Sequence, residues 1–158
     1  MMILGMDPGP TTCGAVLYDT NSKRVISSRK ALTIDGAMRM IDFSSADLVA
    51  IERVQSYGIA GSSLLRTAEV GGMLHYCARS EGLDVVWLYR REVLRGLDVT
   101  GKGNRDALVR HRLIEIHGGD RASAVGLKAS PGPLFGVSSH AWAALAVAVV
   151  AGLEDDSP

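Results

Sequence analysis

Ile3-Leu4-Gly5-Met6-Asp7-Pro8-Gly9-Pro10-Thr11-Thr12-Cys13-Gly14-Ala15-Val16-Leu17-Tyr18-Asp19 is the stretch whose reading decides the fold. Two apolar runs flank a Pro-Gly-Pro-Thr-Thr turn, so residues 2–7 and 13–18 are predicted to pair as a β-hairpin. Asp7 is the only acid within the first run and falls where that strand ends. A carboxylate near the core, with no basic neighbour in sequence, is costly unless it binds something. The simpler reading is an Asx-type cap on the Pro-Gly turn.

Asn21-Ser22 marks a second turn, and residues 24–32 predict a third antiparallel strand. A short helix over 35–43 precedes a compact apolar strand over 47–52, which ends in Glu52. Because a helix intervenes, that strand should pair parallel with an earlier one. Residues 62–81 form the longest predicted helix, with Leu64, Leu65, Ala68, Leu74 and Ala78 near helical spacing. A fifth strand follows over 84–88, then a short helix or turn over 90–97 and a flexible glycine loop over 100–104. Residues 105–116 predict a basic helix with Leu108, Leu113 and Ile116 inward. Residues 117–135 read as irregular, and Ser138 or Ser139 caps a final helix running to Leu153. The pattern is α/β: a five-stranded mixed sheet flanked by helices, in one domain over 1–153, followed by an acidic tail over 154–158.

The composition is that of an ordinary globular protein, with 47% hydrophobic and 22% charged residues in 158. No basic leader and no apolar run of membrane-spanning length is visible, so a cytoplasmic protein without membrane contact is expected. Cys13 and Cys77 lack paired spacing and read as small apolar residues in a reducing compartment. Formal net charge is zero, yet residues 90–112 carry seven basic side chains against three acids. Such a local excess is either a solvated face or a phosphate-binding patch.

If the strands ending in Asp7 and Glu52 are neighbours, their carboxylates converge at one sheet edge. Like charges so placed are tolerated when a divalent cation sits between them, and Mg²⁺ is the natural guest for such oxygen ligands. The competing reading of Glu52 is a strand-end acid paired with Arg53 or another surface base. His140 opens the last helix and is its one titratable group before Glu154. A lone His there is either a solvated capping residue or a group presented to the sheet edge.

Three segments together resemble the successive motifs of RuvC-type Holliday-junction resolvases. They are Ile3-Leu4-Gly5-Met6-Asp7-Pro8-Gly9, Val49-Ala50-Ile51-Glu52-Arg53-Val54 and His140-Ala141-Trp142-Ala143-Ala144-Leu145-Ala146-Val147-Ala148. The stretches from Arg91-Glu92-Val93 to Arg110 and Pro131-Gly132-Pro133-Leu134-Phe135-Gly136-Val137 look closer to the phage and prophage branch. The resemblance implies an RNase H-like fold, a homodimer acting in DNA recombination and repair, and Mg²⁺- or Mn²⁺-dependent cutting of four-way DNA junctions by paired symmetric nicks. It implies that Asp7, Glu52 and His140 hold two metals which clamp the scissile phosphate for in-line hydrolysis. The family commonly carries a further Asp where this chain has Ala143. Asp106 is the candidate replacement, although a salt bridge on its own helix is the favoured expectation for it. Lys102, Arg105, Arg110 and Arg112 are the expected phosphate contacts, and Tyr57 is placed to stack on an unpaired base or to fold onto its own surface. The 62–81 helix is the expected dimer surface.

Three rival readings remain at this level. One is a nuclease of the same fold acting on RNA or an RNA–DNA hybrid. Another is a junction-binding protein with weak or no cleavage, given Ala143. The third is an actin-like kinase lobe, which shares the Gly-x-Asp-x-Gly opening.

Overall fold

The computed structural model of the chain describes residues 1–56 and 58–155. Five strands form the main sheet: β1 (Met2–Asp7), β2 (Thr12–Asp19), β3 (Arg24–Thr33), β4 (Leu48–Arg53) and β5 (Asp84–Tyr89). Their order across the sheet is β3-β2-β1-β4-β5. The hairpin strands β1 and β2 pair antiparallel, as do β2 and β3, whereas β4 joins β1 in parallel and β5 joins β4 in parallel. The parallel half follows from helical crossovers: α1 (Ile34–Asp42) leads into β4, and α2 (Ser62–Ser80) into β5. Thr33 caps α1 through its hydroxyl, which accepts from the Gly36 amide at 3.1 Å.

Alternation along each strand divides the core into two layers. Leu4 and Met6 of β1, Val49 and Ile51 of β4, and Ala15 and Leu17 of β2 pack under α1 and α2, where Ala37, Ile41, Val70, Leu74 and Ala78 are buried. Ile3, Val16, Ala50 and Leu88 point the opposite way. They pack with α3 (Arg90–Gly96), α4 (Arg105–Gly118) and the Ala-rich α6 (Ala141–Asp155). Gly5 lies on that second face, and its missing side chain lets α6 rest on β1: an added Cβ would stand 2.0 Å from the Ala144 carbonyl oxygen. No helix among the described residues is long and apolar enough to cross a membrane.

Several details differ from the sequence reading. The inward face of α2 is Thr67, Val70, Gly71, Leu74, Cys77 and Ala78, while Leu65 and Ala68 face solvent. That inward stripe packs against α1, β4 and β5. On α4, Val109 and Leu113 are buried and Ile116 is 41% exposed. Residues 117–135 are not wholly irregular: they contain α5 (Arg121–Ala124) and a two-residue hairpin, β6 (Gly126–Leu127) with β7 (Ser130–Pro131). Helix α6 runs two residues past Leu153, to Asp155. Both cysteines are buried and free.

Candidate active site

Sheet register brings the two strand-end acids together. Ile3 to Met6 of β1 face Leu48 to Ile51 of β4, so the next step sets Asp7 level with Glu52. Both residues have the parity of Gly5 and Ala50, which turns their side chains towards α6. They line a cavity of about 580 Å³ with His140, Ala143, Asp106, Arg90 and Arg110.

His140 precedes α6 rather than lying in its first turn. Its carbonyl accepts the amides of Ala143 at 3.1 Å and Ala144 at 3.3 Å, which makes it the residue from which the helix starts. The carbonyls of Ser138 and Ser139 take the amides of Ala141 and Trp142, both at 3.1 Å. Gly14, opposite Asp7 in the hairpin register, makes room for this turn: a Cβ on Gly14 would stand 2.6 Å from the His140 carbonyl oxygen. The imidazole therefore reaches Asp7, with Nδ1 3.5 Å from Oδ2.

Burial dominates the electrostatics. It pushes the Asp7 carboxyl up to about 6, opposed by the His140 and Arg90 charges. Burial and the neighbouring Asp7 charge push Glu52 up to about 7, opposed by Arg90. Arg90, the first residue after β5, has one guanidinium nitrogen 3.6 Å from Glu52 Oε1 and another paired with the Asp106 carboxylate. Asp106 is thus tied to α3, not to a partner on its own helix, and Glu52 pairs with Arg90 in place of Arg53.

The donor set suits a hard divalent ion, since it consists of carboxylate oxygens with one imidazole. Among the described residues, no three His, Cys, Asp or Glu side chains stand as a ready metal cluster. Arg90 contacts two of the acids instead.

No protein-family model matches the chain. Two solved structures of Thermus thermophilus RuvC superpose on 98% of it. One, described as the RuvC structure, has a TM-score of 0.68 at 20% identity over 96% of that chain; the other is in complex with Holliday junction substrate, at 0.67 and 18% over 95%. The crossover junction endodeoxyribonucleases RuvC of Rhodococcus jostii and Mycobacterium tuberculosis are 31% and 30% identical over 122 residues. Over that stretch the chain is similar to the RuvC family. The matched stretch is 67% of this chain and spans 63% of the length of those two relatives.

Against the RuvC pattern, the structure gathers Asp7, Glu52 and His140 in one cleft and leaves Ala143 in the cavity wall without a donor. Asp106 enters the same cavity from α4, whose N-terminus Asn104 caps by accepting the Asp106 amide at 3.0 Å. Arg110 lines the cleft, and Lys102 and Arg105 are exposed, Arg105 between the lining residues Asn104 and Asp106 in sequence. Arg112 is engaged elsewhere, donating to the Leu97 carbonyl at 2.9 Å and to Glu115 at 2.9 Å. Tyr57 lies outside the described residues. Sequence reasoning passed over Arg90, Gly5 and Gly14. Arg90 carried a usable signal, because it directly follows a core strand, while Asp7 closes β1 and Glu52 is the last residue but one of β4.

Proposed function

We propose that this chain is a divalent-metal-dependent endonuclease that resolves four-way DNA junctions by paired symmetric nicks. The observation that carries this reading is the convergence of Asp7, Glu52, Asp106 and His140 on one cleft beside the basic face of α4. Asp7 and Glu52 would hold the metal from rigid strand ends, and His140 from the start of α6. Asp106 is the carboxylate available where Ala143 supplies none. Bound there, Mg²⁺ or Mn²⁺, two per site in the full arrangement, would stabilise charge on the phosphate and activate water for in-line hydrolysis.

The chain's own groups do the rest. Arg110, Lys102 and Arg105 bind backbone phosphates without reading sequence, so binding weakens with salt. The proposed partner of α2 is a second copy of the chain: Leu65, Met73 and Tyr76 of that helix are 56%, 40% and 75% exposed. A two-fold dimer would address opposite strands of a symmetric junction.

The test is incubation with an immobile four-way junction in Mg²⁺ and in Mn²⁺, beside Asp7→Asn, with RNA and hybrid substrates in parallel. Symmetric nicks that vanish in Asp7→Asn are expected. Nicks that persist in the variant overturn the assignment. Junction binding without product under either metal favours a binding protein, the reading to which Ala143 lends weight.

A further inference from the structure

Arg90 sits where the metal ligands would need to close. It is anchored at the β5–α3 junction, where the Glu92 carboxylate accepts the Tyr89 amide at 2.7 Å and fixes the start of α3. From there its side chain, 29% exposed, reaches Glu52 on one side and Asp106 on the other. A guanidinium does not lose its proton at any ordinary pH, so it neutralises these acids permanently or leaves them. Its fork also matches carboxylate oxygens, the same atoms a divalent ion requires.

We infer that Arg90 is a resident counter-cation: it occupies the carboxylates of Glu52 and Asp106 in the metal-free protein and is displaced when a divalent ion enters. The inference rests on the reading of Asp7, Glu52 and His140 as metal ligands. Arg90 is then a positioning residue. It keeps three acids in one cleft from repelling each other before the metal arrives, and it weakens metal binding by competing for two of them.

The measurement is Mn²⁺ binding to the full-length protein, followed by the electron paramagnetic resonance of free Mn²⁺, for wild type, Arg90→Gln and Arg90→Lys. Arg90→Gln is expected to bind Mn²⁺ about tenfold more tightly, the scale of one lost charge-assisted pair. Arg90→Lys, which keeps the charge but not the fork, should fall between. In melting experiments, metal-free Arg90→Gln should unfold at a lower temperature than wild type, with the gap closing at saturating Mn²⁺. A merely structural arginine would lower both melting temperatures alike and leave Mn²⁺ affinity unchanged, which overturns the inference. Equal Mn²⁺ affinity in wild type and Arg90→Lys also overturns it if Arg90→Gln does not fold. Absence of Mn²⁺ binding in every form overturns the metal reading itself.

Discussion

A methyl group on Gly14 would lie 2.6 Å from the carbonyl oxygen of His140. The place of the imidazole beside Asp7 therefore depends on a residue with no side chain on the neighbouring strand. Gly14→Ala should push the start of α6 outwards, at a cost of roughly 1–3 kcal/mol. Cleavage of a four-way junction should drop by roughly 100-fold, as expected when a reacting group is misplaced by about 1 Å. Full activity in a folded Gly14→Ala protein would show that the approach of His140 to Asp7 is immaterial.

Without metal, stability should fall as pH rises from about 4 to about 7. Asp7 and Glu52 are held near 6 and 7, against ordinary values of 3.8 and 4.5, so the native state binds more protons than the unfolded chain across that window. Native stabilisation of the neutral acids is complete below the unfolded values and is lost as each group ionises. The loss is on the order of a few kcal/mol. His117, which burial depresses, opposes this near its own titration. Urea unfolding in a chelator at pH 5 and pH 8 measures the slope, and Glu52→Gln should flatten it. A protein more stable at pH 8, with the slope intact in Glu52→Gln, would contradict the argument.

Metal preference follows from the imidazole. With His140 as a donor, Mn²⁺ should support faster nicking than Mg²⁺, because nitrogen suits the softer ion better. His140→Asp should move the preference towards Mg²⁺. Initial rates in each metal decide this, and equal or lower rates in Mn²⁺ for wild type would count against His140 as a ligand.

Salt dependence separates the basic residues. Replacing Lys102 and Arg105 by Gln should reduce the slope of log affinity against log salt by about 0.9 for each lost phosphate contact. Arg112→Gln should leave that slope unchanged, because its guanidinium is already bound to Leu97 and Glu115. Junction binding by anisotropy across a salt series distinguishes them; a reduced slope in Arg112→Gln would mean that the guanidinium leaves its internal partners for DNA.

Much of this site could be read from strand parity alone. Asp7 and Glu52 each stand at or next to the end of an apolar strand, and a parallel pairing through a helix sets them level. The sheet and its helices followed from the same periodicities. What escaped was set by packing across layers. Gly5 and Gly14 look like ordinary hairpin glycines until α6 lies on them. Arg90 looks like one charge in a basic stretch until α4 swings Asp106 across to meet it. The solvent-facing side of α2 was misassigned at Leu65 and Ala68 because its apolar residues wrap more than one side of the helix.

The helix that seals β1 at Gly5 is also later in the chain than every strand of the main sheet. During synthesis, the sheet's α6-facing side, with Ile3, Val16 and Ala50, stays wet until residues beyond 141 have emerged. His140 arrives with that same segment. An unfinished chain can pair its strands, but the cleft gains His140 and the wall that α6 supplies only once this last segment has been made.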